Sequence, residues 1–159
     1  MNKRAFLAGL ALAVAAGIGT LFWLGHREHD VAPVSSIVRP DESIQLVERG
    51  RYLARLGNCM GCHTEPGGAP YAGGRALPTP FGTFYGPNLT PDPEHGLGRW
   101  SAEDFWRALH HGKAPDGRLL YPAFPYPSYR YVSREDADAL YAYLRSLPAV
   151  AKPDRDHDL

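Results

Sequence analysis

The sequence contains few of the residues that would cross-link a fold or give it a strong charge. Its 159 residues include two cysteines, Cys59 and Cys62, which lie too close together to join distant parts of the chain in a disulfide framework. Lysine plus arginine and aspartate plus glutamate each number 17, and the formal net charge is zero. The electrostatic field that attracts nucleic acid is therefore missing, and we exclude nucleic-acid binding. Because the two cysteines are so close together, they are expected to act at a single local site.

Glycine and proline, by contrast, are abundant, with 17 and 15 copies and no repeat. Together with the many aromatic residues, this composition indicates irregular loops packed on an apolar surface. Once the first thirty or so residues are set aside, the length suits one domain, since domains usually run to about 100 to 150 residues.

The N-terminal segment Ala5–Leu24 is uncharged and apolar, and its length matches the roughly 20 residues that a helix needs to cross a bilayer. Lys3 and Arg4 precede it, and positive residues hold that end in the cytoplasm, so the rest of the chain is predicted to lie in the periplasm. The alternative is a cleaved signal peptide, because residues 13–15 (Ala-Val-Ala) resemble a cleavage site. The apolar run continues past that site through Trp23, which favours an anchor in the inner membrane.

The segment from Cys59 to His63 reads Cys-Met-Gly-Cys-His, the C-x-x-C-H signature of c-type haem attachment. Two thiols one helical turn apart can each add to a haem vinyl group, and the adjoining imidazole then lies under the iron. The motif therefore predicts one covalent haem c, with His63 as an axial ligand. Export agrees with it, because haem is attached to c-type cytochromes outside the cytoplasmic membrane.

Two other sites could use the same cysteines. A thioredoxin-like redox pair requires a βαβ context, and no buried strand leads into residue 59. A zinc site requires four ligands, and neither a second cysteine pair nor a paired-histidine motif follows. The sequence favours haem over both.

Apolar periodicity and capping signals predict three helices, over residues 43–58, 101–112 and 133–148. The second and third each begin with serine followed three residues later by aspartate. A glycine ends the second helix and a proline ends the third. The long stretch 64–99 between the motif and the second helix shows no convincing helix or strand.

These elements predict an all-α cytochrome c fold, in which few helices and long loops surround one haem. The first and last helices pack across each other in that fold. Gly50 would permit their close approach, although a merely tolerated helix glycine is the alternative. The predicted organisation is a transmembrane anchor at 1–25, a periplasmic linker at 26–41, a cytochrome c domain at 42–150 and a tail at 151–159.

Residues 45–150 resemble the membrane-bound cytochrome c subunits of periplasmic alcohol, gluconate and aldehyde dehydrogenases. The resemblance depends on the haem motif and on three longer segments, TPFGTFYGPNLTPDPEHGLGRWSAEDF, LLYPAFPYPSY and DADALYAYLRSLP. It implies that electrons pass from a dehydrogenase through haem to ubiquinone or a terminal oxidase. Such subunits often carry several haem domains, so this chain resembles a first domain that stands alone or is cut from something longer.

The chain departs from that family at Phe124. There the family has methionine as the sixth iron ligand, and phenylalanine cannot bind iron. Met1 lies across the membrane, and Met60 is held between the two cysteines, so neither can replace it. Because methionine ligation raises the reduction potential, its absence predicts a lower potential.

Three alternatives remain for the sixth position. Phe124 could cover an open site and leave the iron five-coordinate. His111 or His110 could swing onto the iron. Both lie in the last turn of a helix, however, where a partly protonated imidazole is favoured by the carbonyl-rich end without any role as a ligand. Otherwise Lys113, a tyrosine or a ligand from a partner fills the site.

The leading functional hypothesis is an electron carrier without a substrate of its own, working beside a periplasmic dehydrogenase. The alternative is a haem protein whose open sixth site binds small gases or reduces peroxide, although a distal acid–base pair is missing. A third hypothesis is a structural anchor that holds a dehydrogenase at the membrane.

Overall fold

The helix that precedes the cysteine motif, α1, runs Pro40–Leu56 in the computed structural model, which describes residues 12–21 and 40–159. It begins three residues before the predicted start, on a proline, which suits the first turn because that turn needs no N–H donor. Its end is tight: the backbone N–H of Gly57 donates to Leu53 O at 2.8 Å, and Asn58 adopts a left-handed conformation at φ 51°. The next helix, α2 (Cys59–His63), is one turn that holds the whole motif.

The two later helices begin where the capping signals predicted. Helix α3 covers Ala102–His111 and has a complete capping box, in which the side chains of Ser101 and Asp104 each accept from the other's backbone N–H. Gly112 ends it in a left-handed conformation at φ 61°. The last helix, Arg134–Arg145, is capped by Ser133 as predicted but stops earlier than predicted, before the proline at 148.

One turn of helix and a small sheet were not predicted. Helix α4 (Tyr126–Tyr129) precedes the last helix, which is therefore α5. Strands β1 (Ala76–Thr79) and β2 (Gly82–Tyr85) pair antiparallel. The hydroxyl of Thr79 closes the turn by donating to Gly82 O at 2.8 Å. The expectation of no strand in 64–99 was thus wrong, and the fold is helical with a two-stranded sheet rather than purely α.

The first and last helices cross at Gly50. A Cβ built on this buried glycine would lie 1.9 Å from Ala139 O, so the two backbones touch with no room for a side chain. Of the two interpretations of this glycine, close approach is confirmed. Around the crossing lies a cluster of buried residues, namely Ala54, Tyr71, Leu97, Phe105, Leu109, Ala137, Leu140 and Leu144.

The chain beyond α5 folds back onto the hairpin. Thr83 and Asp158 exchange two backbone hydrogen bonds, at 2.8 and 3.0 Å, beside the strand edge. The hydroxyl of Tyr85 also donates to Asp158 Oδ2 at 2.7 Å. The segment predicted as a tail is therefore attached along the domain surface.

The chain divides into two compact units, residues 1–35 and residues 36–159. Of the first unit the structure describes residues 12–21, which are helical and have exposed side chains. Across 12–21 and 40–159, no helix combines the length and the apolar character that a membrane crossing requires. Half of the predicted span Ala5–Leu24 and most of the predicted linker 26–41 lie outside the described residues, so both stay predictions.

Candidate haem site

The single turn of α2 places the two thiols one helical turn apart. Both are free of any disulfide; Cys59 is half-buried and Cys62 is exposed. Burial raises the pKa of the Cys59 thiol, which keeps it protonated at neutral pH. This pair can form two thioether bonds to one flat group lying against the helix.

The imidazole of His63 is held through its Nδ1 atom, which lies 2.8 Å from Pro87 O. A carbonyl oxygen only accepts, so Nδ1 carries the hydrogen, and the lone pair is on Nε2. Burial lowers the pKa of His63, although the hydrogen bond to Pro87 acts in the opposite direction. His63 is therefore a neutral imidazole with Nε2 ready to bind a metal, supported as metal-ligating histidines usually are.

The segment that carries Pro87 passes directly against the motif. A Cβ on Gly86 would lie 1.8 Å from Cys62 O, so only glycine permits this approach. From the other side, the backbone N–H of Gly73 donates to His63 O at 2.9 Å. The histidine is thus enclosed by two loop segments on its proximal side.

Phe124 reaches the neighbourhood of the cysteines through Tyr129. The two rings stack at 5.2 Å, and the hydroxyl of Tyr129 donates to Gly57 O at 3.1 Å. A Cβ on Gly57 would lie 3.6 Å from Cys59 Sγ and 3.8 Å from the Tyr129 ring, so sulfur and ring flank the same point. The structure thus brings the apolar side chain of Phe124 against Tyr129, on the side of the ring pair that borders Gly57 and Cys59.

The two histidines at the end of α3 have different surroundings. His110 stacks on Trp106 at 3.3 Å, with Nδ1 3.0 Å from Trp106 O and Nε2 2.8 Å from Val132 O. Both of its nitrogens face carbonyls, so it is not positioned as an iron ligand. His111 is exposed and borders a cavity of about 390 Å³, whose lining includes Tyr121 and Tyr126 but none of Cys59, Cys62, His63 and Phe124.

The donor set fits haem better than a bare metal ion. Among the described residues, no group of three or more histidine, cysteine and acidic side chains could hold a metal. A zinc site with its four protein ligands therefore has no support there. Two thiols one turn apart, one oriented imidazole and flanking aromatic rings suit a porphyrin that supplies the remaining iron ligands itself.

Sequence reasoning missed the supporting residues of this site. The carbonyl of Pro87 lies 24 positions from His63, and Tyr129 lies 72 positions from Gly57. No periodicity links such distant positions. The motif identified the groups that would bind haem but not those that orient them.

Comparison with known proteins shows which family and which relatives the chain resembles. A cytochrome c family model matches residues 47–148. The gluconate 2-dehydrogenase cytochrome c subunit of Pantoea cypripedii is 51% identical over 115 residues, which are 72% of this chain and 26% of that protein. The cytochrome c subunit of the alcohol dehydrogenase (quinone) of Gluconacetobacter polyoxogenes is 47% identical over 121 residues, 76% and 26% of the respective chains.

A diheme cytochrome c-type protein of Cereibacter sphaeroides is 39% identical over 165 residues, which cover 99% of this chain and 53% of that protein. The chain thus spans about a quarter of the gluconate and alcohol dehydrogenase subunits and about half of the diheme protein. The resemblance seen in the sequence is confirmed. Gas binding and peroxide reduction receive no support from these relatives.

Proposed function

This chain belongs to the cytochrome c family, and on that premise we propose that it carries one haem c and transfers electrons without a substrate of its own. Cys59 and Cys62 would hold the haem covalently, and His63 would bind the iron through Nε2. The haem supplies the one-electron chemistry. The protein orients the imidazole, limits solvent access and sets the potential.

The observation that carries this proposal is the hydrogen bond between His63 Nδ1 and Pro87 O at 2.8 Å. It fixes the tautomer that a haem ligand needs, one residue after the two thiols. A thioredoxin-like pair would have no use for an imidazole oriented in this way.

Haem attachment is tested on the full-length chain, matured with haem and run on a denaturing gel. We expect a haem-stained band from the unaltered chain and from Met60→Leu, which keeps both thiols. The double variant Cys59→Ala, Cys62→Ala should give none. Loss of the haem from the unaltered chain into acidic acetone would show that it is not covalently bound and would overturn the proposal.

We further propose that Phe124 covers the sixth position and leaves it without a protein ligand. Its stacking on Tyr129 beside Cys59 supports this, as does the position of both His110 nitrogens against carbonyls. The ferric protein should then lack a methionine-to-iron charge-transfer band, and the reduced protein should bind carbon monoxide. Complete inertness to carbon monoxide would contradict an open position.

The proposed electron donor is a dehydrogenase, and the proposed acceptor is a quinone or a terminal oxidase. The relatives named as cytochrome subunits of gluconate and alcohol dehydrogenases support the donor. Adding gluconate or an alcohol to native membranes should reduce the haem of this chain, as seen by difference spectra against membranes that lack it. No substrate-dependent difference with either compound would argue against this donor class.

We also propose that residues 1–25 anchor the chain in the inner membrane with the haem domain in the periplasm. The apolar run Ala5–Leu24 and the preceding Lys3 and Arg4 support this topology. Alkaline phosphatase fused after the last residue should be active, because that enzyme needs the periplasm to form its disulfides. If the alkaline phosphatase fusion were inactive while a reporter that works only in the cytoplasm were active at the same position, the domain would lie on the cytoplasmic side.

A further inference from the structure

The side chain of Asn88 joins the proximal loop to the segment that follows α5. Its Nδ2 donates to Val150 O at 2.9 Å and to Lys152 O at 3.1 Å. Its Oδ1 accepts from the backbone N–H and the hydroxyl of Thr90, at 2.9 and 2.7 Å. Asn88 is 3% exposed, so every one of these bonds lies in a site that water does not reach freely. It directly follows Pro87, whose carbonyl accepts from His63.

The backbone of Asn88 is held by the same segment. Its N–H donates to Asp154 Oδ1 at 2.7 Å. This N–H and the Pro87 carbonyl belong to one peptide unit, which is planar and rigid. A group that fixes the N–H therefore also fixes the direction of the carbonyl that faces His63.

A second contact reaches the other loop beside the histidine. Lys152 Nζ donates to Gly73 O at 3.2 Å and pairs with Glu65 Oε1 at 2.5 Å. Gly73 in turn donates its N–H to His63 O. Residues 150–158, which we call the C-terminal segment, thus contact both loops that enclose the proximal histidine.

We propose that the C-terminal segment positions the iron-ligating histidine, with Asp154 orienting the Pro87–Asn88 peptide and so setting the strength of the His63 Nδ1–Pro87 hydrogen bond. The inference rests on the proposed function, because it concerns how His63 is presented to haem iron. A strong bond from Nδ1 makes the imidazole more basic and favours ferric iron. Weakening it should raise the reduction potential.

The test compares substitutions at Asp154 in the full-length, haem-loaded chain. Asp154→Ala removes both the charge and the acceptor, whereas Asp154→Asn removes the charge but keeps an acceptor oxygen. Asp156→Ala removes an equal charge from an exposed position two residues away. The difference between the alanine and asparagine variants at 154 therefore isolates the hydrogen bond from the charge.

Direct substitutions of groups around a metal ligand change its affinity or activity by 10- to 100-fold. Asp154 acts one contact farther out, so we expect about a threefold change in the ferrous-to-ferric ratio between Asp154→Ala and Asp154→Asn. At about 59 mV per tenfold for one electron, this is a rise of roughly 28 mV in the alanine variant. Asp156→Ala should match Asp154→Asn.

Equal potentials for Asp154→Ala and Asp154→Asn would overturn the inference. Asn88→Ala, which changes no charge, is the second variant and should also raise the potential. An unchanged potential there, with haem still attached, would overturn the inference as well. Failure of the unaltered chain to attach haem would instead refute the proposed function, so the two failures are distinguishable.

Discussion

The crossing of α1 and α5 at Gly50 gives a prediction whose size follows from distances. Gly50→Ala would place a methyl group 1.9 Å from Ala139 O and 2.7 Å from the Cβ of Tyr143, against ordinary contacts of at least 3.4 Å. The nearest obstacle is backbone, so no side chain can rotate away and the helices must separate. Overpacking of this kind costs about 1–3 kcal/mol, and a backbone obstacle places it at the upper end.

Alanine also gains about 1 kcal/mol of helix propensity over glycine, which offsets part of that cost. We therefore expect Gly50→Ala to lower the free energy of unfolding by about 2 kcal/mol. At roughly 4 °C per kcal/mol for a domain of this size, Tm should fall by about 8 °C in a thermal melt followed by circular dichroism.

The matched control is Gly57→Ala, where the nearest atoms lie at 3.4, 3.6 and 3.8 Å and a methyl group fits. Its Tm should remain within about 2 °C of the unaltered chain, because a methyl group that makes only ordinary van der Waals contacts should change stability by no more than about 0.5 kcal/mol. If Gly50→Ala were as stable as the unaltered chain, the helices would not be in backbone contact and the reasoning would be wrong.

Three other outcomes follow from the described contacts. Phe124→Met should raise the reduction potential and abolish carbon monoxide binding, because methionine sulfur would occupy the sixth position. Tyr129→Phe should cost about 1 kcal/mol in urea unfolding, because it removes the hydrogen bond to Gly57 O. Burial alone would raise the pKa of Asp104, but hydrogen bonds from Ser101 and Arg107 outweigh it and hold the pKa below its usual 3.8. The stability that Asp104 contributes should therefore be full above about pH 5 and be lost as the pH falls below 4.

Each of these outcomes has its own control. An unchanged potential in Phe124→Met would show that position 124 does not lie over the iron. Tyr131→Phe alters an exposed ring and should leave the free energy of unfolding in urea unchanged. An equal loss in Tyr131→Phe and Tyr129→Phe would show that the hydrogen bond to Gly57 O is not the cause. The stability difference between the unaltered chain and Asp104→Asn should shrink from pH 5 to pH 2; a constant difference would contradict the linkage.

Local signals in the sequence predicted the helices well. A capping serine and its aspartate lie three residues apart, and the glycine that ends α3 acts through its own backbone angles. Such features need no information from distant residues. The two strands are only four residues long, and Pro78 removes one donor from the first, so alternation was too short to detect.

The attachment of the C-terminal segment was missed for a different reason. Asp154 contacts Asn88 across 66 positions, and Asp158 contacts Tyr85 across 73. Charged, proline-containing sequence normally indicates a solvated tail, and nothing in its composition specifies a partner. The candidate site divides in the same way: the chemical groups follow from a five-residue motif, whereas their orientation depends on Pro87, which only the folded chain brings near.

The contacts of His110 bear on how helices α3 and α5 move relative to each other. Its Nε2 meets Val132 O just before α5, while Arg134 at the start of α5 pairs with Glu103 at 2.6 Å and lies over the Trp106 ring at 5.5 Å. These contacts join both ends of α3 to the start of α5, so the two helices should move as one rigid body. Slower rearrangements would then be left to residues 112–125, the loop that carries Phe124.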